Sequence, residues 1–492
     1  MEARLNSAVG NERKGLGGGP LLRNFSLQLG GELTGQAIAF VAAIYLARTL
    51  DAHGFGVWVF ASSVLLYFTI VIDGGTDIWG MREVAARPRR LRLLVGAIIR
   101  SRLLLGAAAI GAVIVLAQLV DHDNSIALLV GLPILIAFIF NTAWAHRGLE
   151  TGLTGVTIVL QRATWLSLAL LLIKAPSDAN FATFWQGISE VVGVGILLIF
   201  LVPRLRALSR KSRQITVRTV FAHSWPLALT RAMRALTVTL AVVVLTFSGS
   251  DAEVGYYGSA LRVATVLLLV STVFTNAAFP GLARACRGPD QAAVMNAAMR
   301  LLVTVVAPIA VCGVILADPI LKLLFPPQFA QAAIILAILM PALAAMAVSD
   351  LLRRILAARH RQRLDSKLTA VVTIASVVVT SSLAILFGGV GAAIAMLLGE
   401  LALVALSLWA VARTGPRIAI LRAGSLPLVG ALVMGAALAV ASNLPLFPRV
   451  LVGAFAYLTW LAFFSGHLRE DLKRINGATV GPARPAEHPA IS

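Results

Sequence analysis

Charge is what this 492-residue chain has least of: only 13% of its residues are Asp, Glu, Lys or Arg, about half the share usual in soluble domains. So little charge excludes an ordinary water-soluble globular fold. Cysteine is nearly absent too, Cys286 and Cys312 being the only two, which excludes a disulfide framework and a thiolate metal centre. No His/Cys/carboxylate set has metal-ligand spacing. No Gly-rich loop ends in Lys-Ser or Lys-Thr, which excludes nucleotide hydrolysis by this chain, and no nucleophile elbow surrounds a serine. No catalytic constellation is left, and an enzyme is not expected. Acids are scarce even among the charges, 22 against 42 bases, for a net charge of +20. No basic stripe carries interleaved aromatics, so nucleic acid is not the expected partner. The polar, Gly-rich N-terminal stretch has no short apolar core with a cleavage site, so it reads as a tail and not as a signal peptide.

What remains is hydrophobic: 59% of the residues are apolar. A membrane-crossing helix needs about twenty such residues, and about fourteen segments qualify. They fall near 25–49, 55–79, 93–119, 125–146, 153–173, 179–202, 219–248, 257–282, 293–316, 330–352, 367–387, 390–412, 425–443 and 446–466. Basic residues crowd every second gap. Arg82, Arg87, Arg89, Arg90 and Arg92 fill one, and Arg204, Arg206, Arg210, Lys211, Arg213 and Arg218 fill a later one. That alternation is the positive-inside pattern, and with an even span count it predicts that both termini are cytoplasmic.

The expected fold is an all-α polytopic membrane protein: two pseudo-symmetric six-helix lobes and a C-terminal helix pair. Residues 1–24 read as a cytoplasmic tail, 25–202 as the first lobe, and 203–218 as a basic linker. Residues 219–412 read as the second lobe, 413–466 as the extra pair and 467–492 as a second tail. A weak repeat supports two halves. Asp51-Ala52-His53-Gly54-Phe55-Gly56 is echoed by Asp251-Ala252-Glu253-Val254-Gly255-Tyr256-Tyr257, at equivalent helix joints. A second echo pairs Ala145-His146-Arg147-Gly148 with Ala358-Arg359-His360-Arg361, and both echoes keep helix parity, as expected of halves repeated about an axis along the membrane normal.

Charges inside the spans are costly in hydrocarbon and therefore informative. Arg231 and Arg234 sit mid-span at i, i+3, on one helix face. Their planar donor forks suit phosphate or carboxylate. Arg162 and Glu190, on adjacent spans at similar depth, suggest a buried ion pair, which a purely structural lock explains equally well. Arg262 opens span eight. Arg100 and Arg102 lie in the inner third of span three, where they either snorkel to the interface or pair with Glu32 of span one. Gln28 and Gln36 share a face of span one and add hydrogen-bonding groups to a cavity wall; Gly31 and Gly35 form a close-packing motif there. Asp73 and Asp77 close span two and suit a gate with a nearby arginine. Glu400 is buried mid-span in helix twelve, without an obvious partner. Arg231, Arg234, Arg262, Arg162, Gln28 and Gln36 are thus the candidate substrate-binding residues. Glu32, Asp73, Asp77, Glu190 and Glu400 are the candidates for gating or ion coupling, with coupling to Na+ or H+ left open and no cofactor expected.

Several runs resemble the bacterial polysaccharide-biosynthesis (O-antigen-type) flippases of the multidrug/oligosaccharidyl-lipid/polysaccharide exporter superfamily. They are Leu46-Ala47-Arg48-Thr49-Leu50 with Gly54-Phe55-Gly56, Phe60-Ala61-Ser62-Ser63-Val64 with Tyr67, and Asp73-Gly74-Gly75. Gly80-Met81-Arg82-Glu83-Val84-Ala85 and Val254-Gly255-Tyr256-Tyr257-Gly258-Ser259-Ala260 complete the set. The resemblance implies two helical lobes around a cationic cavity in the bacterial cytoplasmic membrane. It implies alternating-access transfer of an undecaprenyl-pyrophosphate-linked oligosaccharide from the inner to the outer leaflet. The expected partners are that glycolipid, membrane lipids and other polysaccharide-assembly proteins. A lipid II flippase, a cation-coupled drug exporter of the superfamily and a membrane polysaccharide polymerase are the alternatives. The resemblance puts helices one, two, seven and eight around the cavity, favouring Arg231 and Arg234 over Arg162 and Glu190.

Overall fold

The computed structural model describes residues 19–208, 215–248, 251–265, 271, 291–359, 361–415, 420–463, 466 and 470–471. Every regular element among the described residues is helical. Among the described residues, eleven helical stretches are long and apolar enough to cross a bilayer. The chain divides into two compact units, Met1–Ala235 and Leu236–Ser492.

The first unit begins with α1 (Gly19–Thr49), α2 (Asp51–Asp73), α3 (Thr76–Ala86) and α4 (Leu91–Ala117). Three short helices then make up one broken span: α5 (His122–Val130), α6 (Pro133–Ile139) and α7 (Ala143–Gly148). They are followed by α8 (Leu153–Leu172), α9 (Ala179–Ala207) and α10 (Val217–Phe247), the last running on into the second unit.

The breaks have local causes. Gly74 and Gly75, at φ +51° and +76°, separate α2 from α3, a backbone that a residue with a side chain adopts only under strain. Pro133 opens α6, where its missing N–H costs nothing. α1 and α8 pack backbone to backbone: a methyl group on Gly31 would run into the Gly155 main chain, so the Gly31 motif is a helix-packing device. Val84, Leu94, Ile98, Trp144, Leu201 and Val220 form a core cluster between α3, α4, α7, α9 and α10. Trp58 Nε1 and Ser62 Oγ both donate to Gln186 Oε1, at 3.0 and 3.1 Å, tying α2 to α9.

The second unit contains α11 (251–265), α12 (Gln291–Ile315), α13 (Ala317–Leu324), α14 (Ala332–Ala358), α15 (Gln362–Thr414), α16 (Ile420–Val440) and α17 (Leu446–Phe463). The 53 residues of α15 are not one rod. Phe387 and Gly388 leave helical geometry, and a methyl group on Gly399 would stand 2.8 Å from Ser376 Oγ. In a straight helix those residues would be about 34 Å apart, so α15 folds back on itself as a hairpin. The apolar segments at 367–387 and 390–412 are its two arms. Glu253 Oε2 accepts the Gly389 N–H at 2.7 Å, capping the first turn of the second arm. At the other end of that arm, Arg359 donates to the Val411 carbonyl at 2.7 Å and to Thr414 Oγ1 at 3.3 Å. A cation there complements the negative end of the helix dipole. The last two helices are anchored by Tyr457 Oη to the Thr304 carbonyl at 2.6 Å and by Trp460 Nε1 to the Leu426 carbonyl at 3.1 Å.

Candidate functional site

The first unit holds a four-charge network in its interior. The glycine turn after Asp73 starts α3 so that Asp73 Oδ1 accepts the Asp77 N–H at 2.9 Å and the Thr76 hydroxyl at 3.2 Å. Arg102, from α4, enters this turn with no exposed surface. Its Nη2 reaches Asp73 Oδ1 at 2.9 Å and Asp77 Oδ1 at 3.1 Å, and its Nε reaches Thr76 Oγ1 at 2.9 Å. Its Nη1 donates to the Asn141 carbonyl at 2.7 Å. That carbonyl is available because the chain is non-helical between α6 and α7. Phe138 stacks under the guanidinium at 5.2 Å. Arg147 completes the set, its Nη2 lying 2.6 Å from Asp77 Oδ2. Two guanidiniums and two carboxylates thus balance, and nearly every Arg102 donor direction is used, as a buried ion cluster requires.

This corrects two expectations. Arg102 neither snorkels nor pairs with Glu32; it is the fully buried hub for Asp73 and Asp77. Arg100 does turn outward, its Nε bonding the Gly96 carbonyl of its own helix at 3.0 Å. Arg147 was not among the expected site residues.

Beside the network lies a polar cavity of about 80 Å³. Gln28 and Glu32 of α1, Arg147 of α7, Thr154 and Gln161 of α8 and Glu190 of α9 line it. Glu32 is exposed and accepts from its helix neighbour, Gln28 Nε2, at 3.5 Å. Gln161 and Glu190 face the same cavity from α8 and α9. No ion pair within 4.0 Å joins Arg162 to Glu190 among the described residues. The direct pair expected of Arg162 and Glu190 is therefore not formed. Gln36 is exposed and does not line this cavity.

The second unit is built differently. Glu400, 7% exposed on the second arm of α15, accepts the Ser349 hydroxyl of α14 at 3.1 Å, so the expectation of a carboxylate without a partner fails. Buried hydroxyls flank it. Thr369, Thr373, Ser376 and Thr380 follow one face of the first arm, and Ser407 lies two turns beyond Glu400. An apolar cavity of about 470 Å³ lies between α12, α14, α16 and α17, lined by Pro308, Cys312, Met340, Leu438 and Tyr457. Arg262 is partly buried on α11. Arg231 and Arg234 belong to α10, but their side chains lie outside the described residues.

Helix order and breaks of this kind define a class. The structure aligns with a lipid II flippase MurJ in an inward closed conformation at TM-score 0.71, covering 89% of this chain and 98% of that one at 13% identity. It aligns with an inward-facing multidrug resistance transporter of the MATE family at TM-score 0.59, covering 77% and 94% at 15% identity. At such identities the likeness concerns the fold: that of the multidrug/oligosaccharidyl-lipid/polysaccharide exporter superfamily of multi-pass membrane proteins.

Sequence narrows the class. The profile of the family described as polysaccharide biosynthesis protein matches residues 21–286, and that of lipid II flippase MurJ matches residues 155–459. Each covers more than half of the chain, which belongs to the polysaccharide biosynthesis flippases of this superfamily. A protein of Escherichia coli (strain K12) named as an O-antigen transporter is 21% identical over 367 residues, 72% of this chain and 88% of the relative. A protein of Haloferax volcanii named as a low-salt glycan biosynthesis flippase is 21% identical over 372 residues, 73% and 77% of the two chains. The chain is a transporter rather than an enzyme.

Proposed function

We propose that the protein moves an undecaprenyl-pyrophosphate-linked oligosaccharide from the inner to the outer leaflet of the bacterial cytoplasmic membrane, for surface polysaccharide assembly. The observation that carries this reading is the polysaccharide-biosynthesis match over residues 21–286, which spans the first unit and the start of the second. Fourteen spans, in two lobes and a final pair with both termini cytoplasmic, accommodate the eleven span-length stretches, the hairpin in α15 and the arginine-rich gaps.

The physical problem is to carry a pyrophosphate across about 30 Å of hydrocarbon, where an uncompensated charge is costly. Arg231 and Arg234, one turn apart on α10, offer paired donor forks for it. Arg262 on α11 is a further candidate. The apolar cavity of the second unit suits a hydrocarbon tail, with its Met and Leu walls and about 470 Å³ of space. Rocking of two lobes about a fixed site gives alternating access. The Asp73–Arg102–Asp77–Arg147 network then serves as a rigid brace within its own unit. It replaces the inner gate expected from the sequence.

The test is a deletion strain. Loss of surface glycan with accumulation of its lipid-linked precursor, both reversed by the wild-type gene, supports the reading. Normal glycan with altered drug tolerance contradicts it. In the same strain Arg231→Ala or Arg234→Ala abolishes complementation at normal expression, and Lys at either position restores part of it. The match to the lipid II flippase profile over residues 155–459 favours one second reading, transfer of the peptidoglycan precursor. Rescue of a strain lacking its own lipid II flippase would select it.

A further inference from the structure

The outward faces of the two arms of α15 change chemistry at one end of the hairpin. On the first arm Val371, Ile374 and Val378 are largely exposed and share one helix face, at i, i+3 and i+7. Toward the start of the helix the same face carries Lys367 and Arg363, one and two turns before Val371, both exposed. On the returning arm Leu398, Ala402, Ala405 and Trp409 form an exposed stripe, and Arg413 continues it one turn further. The Arg413 guanidinium stacks on the Trp409 ring at 4.5 Å, a cation–π contact. Each stripe thus runs from apolar side chains into positive charge, with a tryptophan at the boundary of one, as at a membrane–water interface.

The protein does not neutralise these cations itself. The acids at this end, Asp350 and Asp365, both face Arg353, at 3.5 and 2.7 Å. Arg359 is engaged by the Val411 carbonyl and Thr414 Oγ1, which also sets the turn before α15 against the end of its second arm. The side chains of Arg363, Lys367 and Arg413 have no carboxylate partner among the described residues. The positive-inside bias accounts for cations in this gap. It does not account for two stripes that each lead without a break from exposed apolar side chains to unpaired charge. A phospholipid with an anionic headgroup has the complementary layout: chains beside Val371, Ile374 and Val378, and a phosphate level with Lys367 and Arg363. A zwitterionic headgroup brings its own cation to that level, and a free phosphate makes no use of the apolar stripe.

We infer that the basic end of α15 binds a membrane phospholipid with an anionic headgroup, its phosphate held by Arg363 and Lys367. Arg413, over Trp409, holds the second arm at the same headgroup level. Cations beside a span attract anionic lipid, and the stems of lysine and arginine lie along apolar surface while their heads reach the phosphate. This lipid belongs to the surrounding leaflet and is not the passenger, so the inference stands whether or not the transport reading does.

The experiment is thermal unfolding of the purified full-length protein in a neutral detergent at constant ionic strength. Phosphatidylglycerol is titrated against phosphatidylcholine of the same chains, with sodium phosphate as the soluble arm. A ligand of the native state raises the unfolding temperature in a saturable way. Wild type responds to phosphatidylglycerol alone. Arg363→Gln with Lys367→Gln shifts the titration midpoint by about tenfold or more, and Arg413→Gln shifts it severalfold. Arg363→Lys with Lys367→Arg, which keeps both charges, titrates like wild type. So does Arg204→Gln with Arg206→Gln, which removes two exposed cations of the first unit. Equal responses to the two lipids overturn the inference. So does an equal loss in the Arg204 and Arg206 variant, the mark of diffuse surface charge in place of a site. A response to sodium phosphate that matches phosphatidylglycerol overturns it too, as does an unshifted titration in monodisperse Arg363→Gln, Lys367→Gln protein.

Discussion

A charge cluster buried in the first unit and a carboxylate buried in the second are held in different ways. The first gathers full charges: Asp73, Asp77, Arg102 and Arg147 lock α2, α3, α4 and α7 through ion pairs of 2.6–3.1 Å. The second holds a carboxylate, Glu400, with the Ser349 hydroxyl of a neighbouring helix and sets buried threonines and serines around it. A charge cluster is rigid because removing one member strands another. A hydroxyl-bonded carboxylate loses little when neutralised. The contrast teaches which of these two sites should break when it is edited and which should merely adjust.

The largest expected effect is therefore in the first unit. Arg102→Ala strands two buried carboxylates and should cost about 3–5 kcal/mol, seen as loss of monodisperse protein or a sharp fall in unfolding temperature in detergent. Arg102→Lys keeps the charge but cannot span Asp73, Asp77, Thr76 and Asn141 together, so it should recover only part. Next comes Gly31→Leu. The Gly155 backbone leaves no room for a side chain, and overpacking there should cost about 1–3 kcal/mol. Gly30→Leu, with nothing within 4 Å of a new methyl group, should be silent in the same unfolding assay. In the second unit Glu400→Gln keeps an acceptor for Ser349 and should cost about 1 kcal/mol or less. An Arg102→Ala protein as stable as Glu400→Gln would erase the contrast. Smallest is Glu253→Gln, which weakens the cap on Gly389 by about 0.3–1 kcal/mol and should show as faster amide exchange at the start of the second arm of α15.

Much of this was legible in the sequence, and the reasons for the rest are physical. Hydropathy gave the all-helical, membrane-spanning character. Gly31 announced close packing, and Asp73 with Asp77 announced a partner. Depth alone could not say that the partner was Arg102, because a guanidinium in the inner third of a span reaches the interface as readily as a neighbouring helix. The Asn141 carbonyl that fixes Arg102 exists only because the fourth span is broken, a feature that periodicity does not register. The cavity needed three-dimensional proximity of α1, α7, α8 and α9. Gln28, Glu32 and Glu190 were candidates from the sequence, whereas Arg147, Gln161 and Thr154 were not. The hairpin in α15 was anticipated as two apolar segments, yet its Glu253 cap joins residues 136 apart.

The central claim concerns the passenger. It is tested most directly by reconstituting the purified protein in liposomes loaded with a fluorescent undecaprenyl-pyrophosphate oligosaccharide and counting how much becomes accessible to a membrane-impermeant quencher or glycosidase over time. Wild type should render the inner-leaflet pool accessible, and Arg231→Ala with Arg234→Ala should leave it protected as in protein-free vesicles. Equal accessibility with and without the wild-type protein, in vesicles where it is folded and correctly inserted, would contradict the account.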